Sequence, residues 1–128
     1  MSFVKKFNEV AKAVHDNAVA KGWWEGDRNE GELIALVHSE LSEALEGLRH
    51  GNPPSDHIPA FNAVEEEFAD VVIRLMDHSE AMGYQLAEAI EAKMAFNATR
   101  SHRHGGKKFY LIIGDPQPES QASTLAKV

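Results

Sequence analysis

The sequence predicts an all-α protein with four helices. Four segments repeat apolar residues every three or four positions, which is the period of an amphipathic helix. Ser or Asn precedes the first three segments as a candidate N-cap, and glycine follows each of them. We expect helices from Ser2 to about Lys21, from Asn29 to the Gly47–Gly51 region, from Asn62 to Gly83, and from about Tyr84 to Arg100.

Composition excludes several classes of protein. The chain of 128 residues fits one domain, and without cysteine it forms neither a disulfide framework nor a cysteine-ligated zinc site. The formal net charge of -7 disfavours binding to nucleic acid polymers or acidic membranes. No apolar run approaches the ~18 residues that span a bilayer, and the N-terminus does not read as a signal peptide. We expect a cytoplasmic protein.

The second predicted helix carries two carboxylates on or beside its apolar arc. At about 100° per residue, Glu40 falls inside the arc and Glu43 at its edge. The arc itself consists of Leu33, Leu36, Val37, Leu41, Ala44, Leu45 and Leu48. An ionised carboxylate removed from water needs a partner or a metal ion, so this helix predicts a cation nearby.

The third predicted helix repeats the same spacing. Glu67 lies on one margin of its buried side and Asp70 about 60° beyond it. Its buried side consists of Val64, Phe68, Val71, Val72, Leu75, Met76 and Met82. Set face to face, the two helices bring four carboxylates to one point, and an all-oxygen ligand set suits Mg²⁺, or alternatively Mn²⁺.

The first helix is a plain amphipathic helix that ends at Gly22, ahead of two adjacent tryptophans. Asn17 lies near the edge of its apolar stripe. Trp23 and Trp24 are either packing residues or a platform on which a nucleobase stacks, and the sequence leaves both interpretations open.

The fourth helix carries a row of polar side chains. Lys93 and Asn97 fall within its apolar arc and Arg100 on its margin. The row suits the binding of phosphate groups. A purely structural explanation is also open, because the helix dipole favours Arg100 at a C-terminus and the stem of a lysine can extend over apolar surface.

The last part of the chain changes character. Residues 101–108 are basic and contain glycine, so they form either a loop that closes on a phosphate chain or a solvated exit from the fourth helix. Residues 109–113 have the composition of a short extended arm, and the polar residues that follow read as a loose tail. We therefore divide the chain into a helical domain, 1–108, and an arm with a tail, 109–128.

Taken together, the acidic pairs and their flanking segments resemble a known family. The sequences LIALVHSELSEALEGLRHG, EEEFADVVIRL and KMAFNATRSHRHGGK, in that order, are similar to MazG-like nucleotide pyrophosphohydrolases. These belong to the all-α nucleoside triphosphate pyrophosphatase superfamily, with the dimeric dUTPases, and the likeness covers roughly residues 10–108.

The resemblance implies an antiparallel four-helix bundle that oligomerises as a dimer or tetramer. It implies Mg²⁺-dependent hydrolysis of a (deoxy)nucleoside triphosphate to the monophosphate and pyrophosphate. The implied metal ligands are Glu40, Glu43, Glu67 and Asp70, with Glu43 preferred over Glu40 as the base. The implied phosphate contacts are Lys93, Asn97 and Arg100, and the implied base contacts are Trp23, Trp24, Asn17 and His15.

We expect deoxynucleotides as substrates, with dGTP or dCTP ahead of dUTP, because the chain lacks the longer insertions of dimeric dUTPases. A di-iron bundle is disfavoured, since none of the seven histidines follows a glutamate by three residues. The alternative from another class is an oligomeric helical module that binds a metal–nucleotide complex or a partner helix without turnover. Apolar stripes that one copy cannot cover also favour an oligomer.

Overall fold

Four helices make up the described part of the chain. The computed structural model describes residues 2–101, which contain α1 (Phe3–Ala20), α2 (Glu30–Arg49), α3 (Ala63–Met82) and α4 (Leu86–Thr99). Within this range the only β pairing is an isolated bridge between Pro54 and Asn62. The predicted all-α class is confirmed. The predicted loop beyond residue 101 and the extended arm at 109–113 lie outside the described residues.

Local side-chain chemistry fixes the helix ends. Ser2 and Asn29 accept backbone N–H groups of the first turns of α1 and α2. Asn62 forms a full capping box with Glu65, in which each side chain accepts from the other residue's backbone N–H. Gly83 ends α3 at φ 73°, in the left-handed region that glycine adopts without strain. The predicted caps are confirmed at these positions, and the fourth helix starts two residues later than its predicted start at Tyr84.

The chain divides into two units after Glu88, and each is described by itself. In the first unit α3 packs against both α1 and α2. Its buried apolar residues are few and mostly small: Ala11, Leu33, Ala44, Met76 and Ala87.

The apolar arcs of α2 and α3 are only partly buried. Leu33 and Ala44 face the core, whereas Leu41, Leu45 and Leu48 are 44%, 50% and 57% exposed. On α3 the outward residues are Phe68, Val72 and Leu75. Each arc is wider than the surface that its neighbours cover. The prediction from the helical wheel that the whole arc is buried is therefore wrong.

Contacts near both ends of α2 bring it close to α3. Glu30 Oε1 accepts from Tyr84 Oη at 2.6 Å and lies 2.8 Å from His78 Nε2. Near the other end, a Cβ placed on Gly47 would lie 3.1 Å from Ala63 Cβ, which leaves little room for a side chain. Glu40 and Glu43 of α2 lie between these two contacts.

In the second unit the helix α4 continues with exposed side chains. Residues 91–100 are all exposed, including Lys93, Met94 and Asn97, so the predicted apolar arc is not buried there. None of the helices in the described range is long and apolar enough to cross a membrane.

Candidate functional site

Carboxylates from α2 and α3 converge where the two helices pack. One oxygen each from Glu40, Glu67 and Asp70 lies within 4.8 Å of the others. Glu43, one turn after Glu40, lies close enough to Glu67 to form a hydrogen bond when one of the two is protonated. We call these four residues the acidic cluster. The convergence that the two i, i+3 pairs predict is therefore present.

Glu67 occupies the least favourable position in the acidic cluster. Its Oε2 is buried and has no hydrogen-bond partner among the described residues. Burial, followed by the closeness of Glu40 and Glu43, raises the pKa of Glu67 to about 8. Burial and the charge of Glu40 likewise raise the pKa of Asp70. Carboxylates held this close repel one another when ionised, and a cation is the kind of group that compensates them.

Arg74 is the cation that faces the acidic cluster from α3. Its Nε donates to Glu40 Oε1 at 2.9 Å, and both side chains are largely buried. Its positive charge also lowers the pKa of Asp70, against the larger effects of burial and Glu40 that raise it. One guanidinium compensates one carboxylate, so the cluster keeps excess negative charge.

The acidic cluster opens into a cleft of about 670 Å³ within the first unit. Glu40 and Asp70 lie in its wall, together with apolar residues of α1 and α3 and the exposed ring of Trp23. Asn17 also lines the cleft, as do the cationic side chains Arg28 and Arg74. A cleft with carboxylates, cations and an aromatic ring suits a ligand that joins a polyphosphate to a flat apolar group.

The predicted base contacts fall into two groups. Trp23 and Asn17 line the cleft directly. His15 and Trp24 instead support Asp77, which lines the cleft: His15 Nδ1 lies 2.7 Å from Asp77 Oδ1, and Trp24 Nε1 donates to the same oxygen at 2.8 Å. The edge of the His15 ring also packs on Trp24.

Sequence reasoning missed Arg28, Arg74 and Asp77 as residues of the cleft. The signal for two of them was present, because Arg74 and Asp77 follow Asp70 by four and seven residues and so share its face of α3. Arg28 comes from the turn before α2, where it packs over the Trp24 ring at 5.2 Å. No periodic pattern predicts a position in such a turn.

Two of the predicted phosphate contacts, Lys93 and Asn97, lie on α4 in the second unit, and Arg100 follows the last residue of that helix. Lys93 Nζ lies 4.7 Å and Arg100 Cζ 5.9 Å from the centre of the Phe96 ring. Asn97 is exposed on the same helix. Their phosphate-binding role stays a prediction.

A second polar network lies at the start of α3, next to the acidic cluster. Ser55 Oγ donates to Glu66 Oε2 and accepts the backbone N–H groups of His57 and Ile58. His57 Nδ1 lies 2.6 Å from Glu66 Oε1. The hydrogen bonds from Ser55 and His57 lower the pKa of Glu66, and the hydrogen bond to Glu66 raises the pKa of His57. This network fixes the loop before α3.

Comparisons of the chain with models of protein families, with curated proteins and with solved structures give no match.

Proposed function

We propose that the protein is a Mg²⁺-dependent nucleoside triphosphate pyrophosphohydrolase of the MazG-like type, built as an antiparallel helical bundle. The substrate is a (deoxy)nucleoside triphosphate, which water cleaves at the α-phosphorus to give the monophosphate and pyrophosphate. The observation that carries the proposal is the acidic cluster, in which three carboxylate oxygens lie within 4.8 Å of one another at the wall of a cleft.

The residues present fit a divalent cation. The buried Glu67 Oε2 has no protein partner in the described range, and burial together with the nearby carboxylates of Glu40 and Glu43 raises the pKa of Glu67. Glu40, Glu43, Glu67 and Asp70 would hold Mg²⁺, or Mn²⁺ in its place. The bound ions would offset the charge of the triphosphate and lower the pKa of a water molecule.

Glu40 and Glu43 have different roles in the proposed reaction. Glu40 is buried and one of its oxygens accepts from Arg74, whereas Glu43 is exposed. A general base has to reach the attacking water and release the proton afterwards, so we assign this role to Glu43 and keep Glu40 as a ligand.

Cationic side chains would stabilise the negative charge that develops on the pyrophosphate. Arg74 and Arg28 line the cleft that the acidic cluster faces, which supports them as phosphate contacts. Lys93, Asn97 and Arg100 retain the role that the resemblance implies.

The experiment measures pyrophosphate release from each of the eight common NTPs and dNTPs, with Mg²⁺ and with excess chelator. We expect release that the chelator abolishes and that is fastest for dGTP or dCTP. Glu43→Gln removes the base and is expected to slow release by about 10²–10⁴-fold, and Asp70→Asn removes a ligand and is expected to abolish release. Glu46→Gln is the matched control, because Glu46 lies one turn further along α2 and, among residues 2–101, pairs only with exposed Arg49 and His50.

Full turnover in folded Glu43→Gln or Asp70→Asn would rule out the assigned site. Mg²⁺-dependent nucleotide binding without any pyrophosphate release would instead identify the non-catalytic binding module.

We also propose that the chain acts as a homo-oligomer of at least two copies. Leu41, Leu45 and Leu48 form an outward stripe on α2, and Phe68, Val72 and Leu75 form one on α3. Contiguous exposed apolar surface of this kind marks sites of association. Light scattering tests the proposal, and a monomer at micromolar concentration contradicts it.

A further inference from the structure

Asp77 presents a carboxylate oxygen to the cleft at a distance from the acidic cluster. Both hydrogen bonds found for Asp77 among residues 2–101 end on Oδ1, where they come from His15 and Trp24. The side chain lines the cleft and is 17% exposed. Oδ2 accepts no hydrogen bond within residues 2–101, so it is the oxygen left for a ligand.

The position of Asp77 along α3 matches the length of a nucleotide. Asp70 and Asp77 line the same cleft and are seven residues apart. Seven residues are two helical turns, an axial rise of about 10 Å. This is the reach of a nucleoside from its 5′ phosphorus to the far edge of its base. With the α-phosphate at the acidic cluster, the base edge meets Asp77.

Other residues of the cleft wall suit the body of a base. Val10, Val14 and Ile73 supply apolar surface, and Trp23 supplies an exposed ring. A base can lie flat against such residues while its polar edge faces the end of the cleft.

We propose that Asp77 reads the base edge and selects nucleotides whose base carries an amino group, namely cytosine, guanine or adenine, against uracil and thymine. The inference rests on the proposed function, because it requires the α-phosphate at the acidic cluster, and it assigns the substrate class of that site.

The selection follows from hydrogen-bond polarity. A carboxylate accepts and does not donate. The amino groups of cytosine and adenine offer N–H donors to it where uracil and thymine present carbonyl oxygens (O4), and guanine offers its amino group from a different position on the ring. Those oxygens would face Asp77 Oδ2 at a buried contact, and an unsatisfied acceptor pair of this kind weakens binding strongly. His15 and Trp24 hold Oδ1, so the carboxylate cannot rotate away.

The test measures binding of dCMP, dGMP, dAMP, dUMP and dTMP to the full chain in Mg²⁺ by titration calorimetry. We expect the wild-type protein to bind at least one of the amino-bearing monophosphates about 10- to 100-fold more tightly than dUMP and dTMP, the difference that one hydrogen bond to a charged group makes. Equal affinity for all five, or no binding of any, overturns the inference.

Asp77→Asn sharpens the test. Its amide oxygen keeps the two donors from His15 and Trp24, so its NH₂ group takes the place of Oδ2 and turns an acceptor into a donor. We expect the preference of dCMP over dUMP to vanish or invert. Asp16→Asn is the control, since Asp16 is exposed on α1 and pairs with Lys12. An unchanged preference in folded Asp77→Asn overturns the inference.

A change in the ligand gives the same information without a variant. The 2-pyrimidinone analogue of dCMP lacks only the amino group, and we expect the wild-type protein to bind it about 10-fold more weakly than dCMP. Equal binding of the two overturns the inference for cytosine. Pyrophosphate release is scored separately, so release without base preference removes the role of Asp77 and leaves the proposed activity intact.

Discussion

Glu66 and Glu67 are neighbours on α3, yet they lie in two opposite environments. Glu66 accepts hydrogen bonds from Ser55 and His57, and these lower its pKa. Glu67 faces Glu40 and Glu43, and burial with these carboxylates raises its pKa to about 8. The first residue stabilises a loop. The second is buried beside two carboxylates, and its Oε2 has no hydrogen-bond partner among the described residues.

The comparison shows how the two kinds of carboxylate are told apart. Residue type, helix and position along the chain are nearly the same for both, so none of them separates structure from function. The groups that face each carboxylate separate the two cases. Hydrogen-bond donors satisfy a carboxylate, whereas further carboxylates leave it short of positive charge. Each variant or condition that follows alters the surroundings of Glu66 or those of Glu67.

Replacing Glu66 and Glu67 separately by glutamine gives the largest expected difference in pyrophosphate release. Glu67→Gln removes a proposed ligand, and we expect pyrophosphate release to fall more than about 100-fold, since even the loss of a group that only supports a ligand lowers activity about 10–100-fold. Glu66→Gln leaves the acidic cluster intact and keeps most of the activity. Steady-state rates at saturating Mg²⁺ measure both, and equal losses in the two variants would remove the distinction.

Arg74→Gln tests the positive charge that the protein itself supplies to the cluster. Without the guanidinium, Glu40 is a buried charge without its partner, and we expect the free energy of unfolding in chelator to fall by about 1–3 kcal/mol. Mg²⁺ should restore part of the loss. Arg49→Gln is the control, because its pair with Glu46 is exposed and contributes about 0–1 kcal/mol. Equal denaturation midpoints for both variants in chelator would contradict the assignment.

Ser55→Ala tests the loop side of the comparison. Ser55 is buried, and its loss leaves two backbone N–H groups and one carboxylate oxygen with a missing partner. We expect a destabilisation of about 1–2 kcal/mol with unchanged Mn²⁺ affinity. Chemical denaturation and a Mn²⁺ titration provide the two measurements, and a weakened Mn²⁺ affinity would show that the two regions are not independent.

The pH dependence of stability gives the smallest expected effect. The raised pKa of Glu67 means that the folded protein binds a proton more tightly than the unfolded chain does, so in chelator stability falls as pH rises from about 4.5 to about 8. We expect the melting temperature to fall over this window. The lowered pKa of Glu66 acts with the opposite sign and below pH 4.5.

Saturating Mg²⁺ should remove this pH-dependent fall in melting temperature. Glu67→Gln should make the melting temperature in chelator nearly independent of pH over the same window. A melting temperature that rises across the window in chelator would show that other groups dominate.

The features that the sequence predicts are those that a single helix encodes. Ser2, Asn62 and Gly83 act on backbone groups within a few residues, and the i, i+3 spacing of the acidic pairs fixes their direction from the helix. Asp77 gains its role from His15 and Trp24, which are 62 and 53 residues away in sequence. Contacts between such distant positions follow from packing, which a helical wheel does not describe.

The close approach at Gly47 would affect the choice of ion at the proposed metal site. Gly47 follows Glu43 by four residues and meets Ala63, which precedes Glu67 by four, so the gap between α2 and α3 is set one turn away from the ligands. A methyl group in that gap would push the helices apart and enlarge the space that the oxygens enclose. Since Mg²⁺ requires a tighter shell than Ca²⁺, discrimination between the two ions would depend on a residue that touches neither. Relative Mg²⁺ and Ca²⁺ affinities of Gly47→Ala measure this dependence, and an unchanged ratio would place the discrimination in the carboxylates alone.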